Sequence, residues 1–289
     1  MSGRPPAFHA DVEDGVCRFR RTDGPTRFLS TGFDGGVRVA DAAYNVTVPE
    51  GWDEGGRRDL RAYVDTRVGT AGFADVAGDG AADGVAPALL TGVDQRHARV
   101  ARLEEATVLA TAGVSNPAAL PMPADEVDRV GDADVDRDDA GSAENSVEND
   151  GNDAGPPAGT VNLLVGADRP LAPGALANLV AVAAEAKAAT LLATVGFPGT
   201  TSDAVVVGCP AGDDTAANTA FSGSATPIGT AVRACVRDAV HGSLTSRYGP
   251  ELDGVPGSVA TAEYGVVTDR SATVSAPGAV VRRERPDRE

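Results

Sequence analysis

Lysine is almost missing. Of 25 basic residues in the 289-residue chain only Lys187 is a lysine, and all 25 are outnumbered by 42 Asp and Glu, leaving a net charge of −17. That balance supplies no basic stripe to neutralise phosphates, and aromatic residues, at 4%, are too few for base-stacking platforms. Nucleic acid is therefore not an expected partner. A strong negative charge keeps a protein dispersed in concentrated salt, so the composition reads as that of a halophile's cytosolic protein.

Cysteine is scarce as well. Cys17, Cys209 and Cys235 are far apart and odd in number, which suits reduced thiols in a cytosol better than a disulfide framework. No His-x-x-x-His, Cys-x-x-Cys, Walker or dinucleotide glycine fingerprint occurs, so neither a metal nor any other cofactor is expected. The N-terminus shows no apolar signal core, and Glu185 and Lys187 interrupt the best apolar run. A soluble, cytoplasmic protein without a membrane span is the expectation.

What the chain does have is apolar content, 42% hydrophobic and carried by Ala, Val and Leu, enough for a sizeable core. One domain spanning residues 1–289 is expected. Residues 121–158 stand apart within it, with twelve acidic residues against two arginines, and read as a disordered acidic insertion. Asp132, Asp134 and Asp136 alternate there as in a calcium loop, but Arg137 takes the place of the turn glycine, and a solvated charge run is the better reading. The region from about 248 to 289 reads as a C-terminal extension.

Periodicity places short strands at 16–20, 27–30, 37–40 and 45–48, separated by Asp-Gly turn signals, and predicts an antiparallel meander. Longer buried strands are predicted at 107–114, 160–165 and 203–209. A long Ala- and Leu-rich helix is expected from Leu171 to about Ala193, opened by prolines. A second helix, capped by Thr226 with Pro227 first, should run through Ile228, Val232, Val236 and Val240 and end at His241. The fold class expected is α+β, a mixed and largely antiparallel sheet with at least two long helices packed on it, with pure α/β a close competitor because strands and helices alternate later in the chain.

Four short stretches set polar groups at the rims of these apolar runs: 111–116, 159–162, 185–187 and 199–203. On the long helix Glu185 and Lys187 are two apart and must find separate partners. A lone lysine on a small-residue face, in a chain that otherwise uses arginine, suggests a site that needs a compact ammonium. The Gly199-Thr200-Thr201-Ser202-Asp203 step offers hydroxyls and a carboxylate, although a loop entering a strand has the same composition.

The order of several segments resembles the archaeal adenosylcobinamide amidohydrolase family. They are Ser30-Thr-Gly with Gly35-Gly36, Asn45-Val-Thr-Val, Thr111-Ala-Gly-Val-Ser-Asn, Gly159-Thr-Val-Asn-Leu-Leu-Val, Ala184-Glu-Ala-Lys, Gly199-Thr-Thr-Ser-Asp and Phe221-Ser-Gly-Ser-Ala-Thr-Pro-Ile-Gly229. The resemblance implies a corrinoid small-molecule substrate and hydrolysis of the amide joining aminopropanol to the corrin ring, giving adenosylcobyric acid for cobalamin salvage. Metal-free amide hydrolysis needs a base or nucleophile, an oxyanion donor and an acid for the leaving amine. Asp203 or Glu185 could activate water, while Lys187 could stabilise the oxyanion or protonate the amine. Thr200, Thr201 or Ser202 could instead act as nucleophile, with Thr201 placed among the catalytic candidates. Asn116, Asn162, Thr200, Ser202 and Asn45 are the substrate-binding candidates, amides and hydroxyls suited to the acetamide and propionamide groups of a corrin. Two other readings stay open: a non-catalytic corrinoid-binding protein, and a self-processing amidohydrolase whose threonine nucleophile lies in the Gly199-Thr-Thr-Ser step. Oligomeric state is not specified by the sequence.

Overall fold

A computed structural model describes residues 7–49, 52, 59–73, 85–122, 159–212, 218–262 and 264–277. The acidic stretch, apart from 121–122, lies outside the described residues, as does the calcium-loop pattern within it.

The strands form two stacked sheets and one small ribbon. The first sheet is ordered β1 (Phe8–Glu13), β2 (Val16–Arg21), β5 (Ala42–Thr47), β6 (Ala88–Thr91). The second runs β4 (Gly36–Ala40), β3 (Thr26–Ser30), β12 (Ala204–Pro210), β10 (Val161–Ala167), β8 (Ala106–Ala112), β7 (Arg99–Leu103). Pairing is antiparallel except at β5–β6 and β10–β12 in these sheets. The ribbon joins β11 (Gly199–Thr200), β9 (Pro117–Ala119) and β13 (Val266–Val267). This is the α+β class that the periodicity implies. The early strands, however, are not one meander: β2 pairs with β1 and β5 in one sheet, while β3 and β4 form a hairpin in the other. Turn signals mark where a strand ends but not which sheet the next one joins.

Three apolar layers hold the stack together. Helix α1 (Leu60–Thr70), capped by the Asp59 side chain, lays Val64 and Val68 on the outer face of the first sheet against Val16, Tyr44 and Val46. Between the sheets sit Phe8, Cys17, Phe19, Phe28, Leu89, Leu109, Leu164 and Val206. Glycine makes room for the rings here. A Cβ on Gly166 would lie 2.5 Å from the Phe8 ring and one on Gly208 2.6 Å from that of Phe28, and these two glycines are register partners. The third layer packs α2 (Pro173–Val195) and α3 (Pro227–Tyr248) on the outer face of the second sheet.

Both long helices begin as the sequence dictates. Pro173 and Pro227 occupy the first turns, and Thr226 accepts a hydrogen bond from the Gly229 N–H at 3.1 Å. Helix α2 ends where Gly196 turns left-handed at φ 82°. Helix α3 does not end at His241. It continues to Tyr248, so His241 is an exposed mid-helix residue. Helix α2 is also long and apolar enough to cross a membrane by length and composition, with mean hydropathy 1.5, contrary to expectation. Its apolar residues have another use: Leu176, Leu179, Val182, Ala183 and Leu191 are buried in the core. The Phe221–Gly229 stretch is explained by packing, since a side chain on Gly229 in the first turn of α3 would strike the Gly223 carbonyl.

Candidate active site

β10 and β12 run parallel with α2 as their connection, so the starts of both strands lie side by side and the second half of α2 returns over them. Here the only lysine meets a carboxylate. Lys187 Nζ donates to Asp203 Oδ2, with side chains 12% and 11% exposed. Three further donors reach the same carboxylate: Val161 N–H to Oδ1 at 2.9 Å, Thr200 N–H to Oδ2 at 3.0 Å, and the Thr200 hydroxyl to Oδ1 at 2.5 Å. Each oxygen therefore accepts two hydrogen bonds, which is the capacity of a carboxylate. Gly199 lets the pair close, because a Cβ there would stand 2.8 Å from Asp203 Oδ2 and 3.3 Å from Lys187 Nζ.

Hydroxyls flank the pair. Ser202 is exposed, and its Oγ lies 2.8 Å from Thr160 Oγ1 and donates to the Gly159 carbonyl at 3.4 Å. Thr201 is exposed, and its N–H donates to the Asn116 carbonyl at 3.2 Å. That bond and the β9–β11 pairing tie the turn after β8 to the loop that carries Asp203. Helix α3 fixes the turn from behind: Ala112 N–H donates to Ser243 Oγ at 2.9 Å and Val114 N–H to Tyr248 Oη at 3.0 Å. Asn116 is itself buried, its Oδ1 unpartnered.

Two expected site residues lie elsewhere. Asn45 and Asn162 meet between the sheets, on the opposite face of β10 from Val161 and Leu163. Asn162 Nδ2 donates to Asn45 Oδ1 at 2.8 Å and to the Leu90 carbonyl at 2.9 Å, and Asn45 Nδ2 donates to Thr111 Oγ1 at 2.9 Å. Gln95, which carries no signal of its own in the sequence, extends this lattice to Thr47 at 3.2 Å. Both asparagines are fully buried, so in this state their amides hold the two sheets in register with each other and face no solvent. Asn162 Oδ1 has no partner.

Glu185 is also apart from Lys187. It is exposed on the outer side of α2, 3.5 Å from Arg233 of α3. Arg233 lines an open groove of about 650 Å³ between the two helices, together with Ala189, Thr190, Arg237 and His241; neither Lys187 nor Asp203 lines it. Thr160 reads in the sequence as the first residue of an apolar strand, and its contact with Ser202 is what marks it out within the 159–162 stretch. The three cysteines are free and buried, and burial pushes the Cys17 thiol up to about 12 and that of Cys235 to about 11. They are inert packing groups and not nucleophiles. Among the described residues no cluster of three or more His, Cys, Asp or Glu side chains could hold a metal ion.

The family model for adenosylcobinamide amidohydrolase matches residues 9–251. The chain belongs to this family. The adenosylcobinamide amidohydrolase of Halobacterium salinarum is 47% identical over 270 residues, spanning 93% of this chain and 100% of that one. Membership makes the chain an amidohydrolase, and the acidic composition suits a halophilic relative. Among solved structures, the PH0078 protein of Pyrococcus horikoshii gives a TM-score of 0.37 at 11% identity, over 84% of this chain and 80% of that one. The L-aminopeptidase D-Ala-esterase/amidase of Ochrobactrum anthropi gives 0.33 at 13% identity, over 83% of each. These overlaps are too weak to carry a structural argument. The family match runs from β1 to just past the end of α3 and so takes in the polar rims described above.

Proposed function

We propose that the chain hydrolyses the amide joining 1-amino-2-propanol to the corrin ring of adenosylcobinamide, releasing adenosylcobyric acid for cobalamin salvage. The observation that carries this reading is the Lys187–Asp203 pair, a nearly dry ion pair at the surface end of the central strands with hydroxyls beside it. An ammonium in a partly desolvated setting is suited to the two charges that amide hydrolysis develops, the tetrahedral oxyanion and the departing amine. Asp203 uses one of the three Lys187 donors.

The hydrogen bonding supports a division of the roles that the sequence left open. Asp203 has all its acceptor sites filled, so it is a positioning residue that fixes the Lys187 ammonium and does not draw a proton from water. Glu185 is tied to Arg233 on the outer helical surface and takes no part. Exposed Thr201 and Ser202 meet the substrate at the rim, with Thr200 bracing the carboxylate from below. Asn116 holds the facing turn. Asn45 and Asn162 support the site through the sheet packing, a role in place of direct substrate contact.

Mass spectrometry of the purified protein incubated with adenosylcobinamide in molar potassium chloride tests the reading. Adenosylcobyric acid and free 1-amino-2-propanol are the expected products. Binding of the corrinoid without either product, the protein folded and the phosphorylated substrate also tried, would replace the reading with that of a corrinoid-binding protein.

A further inference from the structure

One hydroxyl at this site is almost wholly buried. Thr160, the residue immediately before β10, is 3% exposed, yet its Oγ1 is 2.8 Å from the Oγ of exposed Ser202. The amide carbon within its reach is that of its own preceding peptide, Gly159–Thr160. Ser202 touches that carbonyl as well, at 3.4 Å. A serine hydroxyl has one donor and two acceptor sites, so Ser202 can accept the Thr160 proton and polarise the Gly159 carbonyl at the same time. The peptide is also held rigidly. A Cβ at residue 159 would lie 2.5 Å from the Asn116 nitrogen and 2.7 Å from that of Ser115, so this peptide admits glycine only, its small residue wedged against the main chain of the facing turn.

From these contacts we infer that the Gly159–Thr160 peptide is a self-cleavage site, with Thr160 as its nucleophile and Ser202 as the proton relay. Thr160 Oγ1 bonds to the Gly159 carbonyl carbon, the Gly159 C–N bond breaks, and the hydroxyl proton passes by way of Ser202 to the Thr160 nitrogen. The resulting ester is hydrolysed by one water, leaving a Gly159 carboxylate, the Thr160 hydroxyl and a new α-amine. Intramolecular attack needs no access for substrate, which reconciles the burial of Thr160 with a chemical role. The product carries a hydroxyl and an amine on one residue, a nucleophile with its own base, next to the Lys187–Asp203 pair. Use of that hydroxyl on a corrinoid amide rests on the function proposed above; the cleavage does not. Self-processing is thus assigned to the start of β10 and not to the Gly199-Thr-Thr-Ser step, where the Thr200 hydroxyl is occupied by Asp203.

Intact-mass analysis of the denatured full-length protein, sampled over days after purification, reads the outcome. Two chains, residues 1–159 and 160–289, with Thr160 at a new N-terminus, are expected. Thr160→Ala should remain one chain, Thr160→Ser should still divide, and Ser202→Ala should divide about tenfold or more slowly, the scale of a lost proton relay. A wild-type protein that stays a single full-length chain, or a Thr160→Ala protein cut at the same bond, overturns the inference. If Thr160→Ala fails to fold by circular dichroism, the wild type and Thr160→Ser decide. The same samples are assayed with adenosylcobinamide: an undivided but active enzyme removes the self-cleavage and leaves the function, whereas a divided but inactive one does the reverse.

Discussion

Two polar clusters lie on opposite faces of β10, and they do different work. On the helix-facing side a charged pair, Lys187 and Asp203, sits at the strand ends with about a tenth of each side chain exposed. On the sheet-facing side a neutral lattice of Asn45, Asn162, Thr111 and Gln95 is sealed from solvent. Burying a charge demands a partner at close range, whereas buried amides can satisfy one another across an interface. The first arrangement leaves reactive capacity at the surface; the second spends nearly all of its capacity on register. The contrast sets the proposed catalytic pair apart from a buried scaffold within a few residues of one strand.

The sharpest way to break this contrast is to remove the charge. Lys187→Met should lower turnover by about 10²–10³-fold, the scale of losing one oxyanion donor. It should also cost stability, since Asp203 loses its counter-charge. Adding Asp203→Asn should restore part of the stability and none of the turnover, measured by thermal melts and product assay. Recovery of activity in the double variant would mean that the pair is structural. Asn162→Ala tests the other face. With Asn45 Oδ1 and the Leu90 carbonyl deprived of a donor, unfolding free energy should fall by about 1–3 kcal/mol while folded protein keeps its turnover within a few-fold. A loss of turnover without a loss of stability would move Asn162 into the active site.

Cys17 reports on the same inter-sheet layer through pH. Its thiol is held neutral by burial, with its pKa pushed up to about 12 from an ordinary 9.0. A raised folded value means that the contribution of the neutral thiol is complete below about 9 and is lost as pH rises toward 12. Wild-type stability should decline over that alkaline window more than that of Cys17→Ala, and native Cys17 should resist alkylation at pH 8. The smallest effect belongs to Glu185→Gln. Its partner Arg233 is 3.5 Å away at an exposed site, so both melting temperature and turnover should stay close to wild type.

The sequence disclosed one cluster better than the other for physical reasons. Lys187 and Asp203 were legible because a single lysine on an Ala-rich helix and an aspartate entering a Val run are conflicts between composition and burial. Their meeting was not legible, since it depends on α2 returning over the start of β12. Asn45 and Asn162 were visible as polar interruptions of strands, but which face of which sheet they occupy is set by non-local pairing. The long helices and central strands followed from periodicity to within a few residues, apart from the extra two turns of α3. Helix α1 escaped notice because only Val64 and Val68 are buried along its 11 residues. Strand β1 was missed with it, and the division into two sheets follows from pairings between segments more than 170 residues apart, such as β3 with β12. Thr160 was hidden by being a good strand residue.

The solitary lysine gives the molecule an internal label. Apart from the terminal amine, Lys187 Nζ is the chain's one primary amine, so reductive methylation with an isotopically marked carbon would place a single side-chain probe at the Asp203 contact. A second backbone amine arising at Thr160 would add its own resonance. The scarcity that first marks this sequence thereby turns its candidate active site into a spectroscopic channel with almost no background.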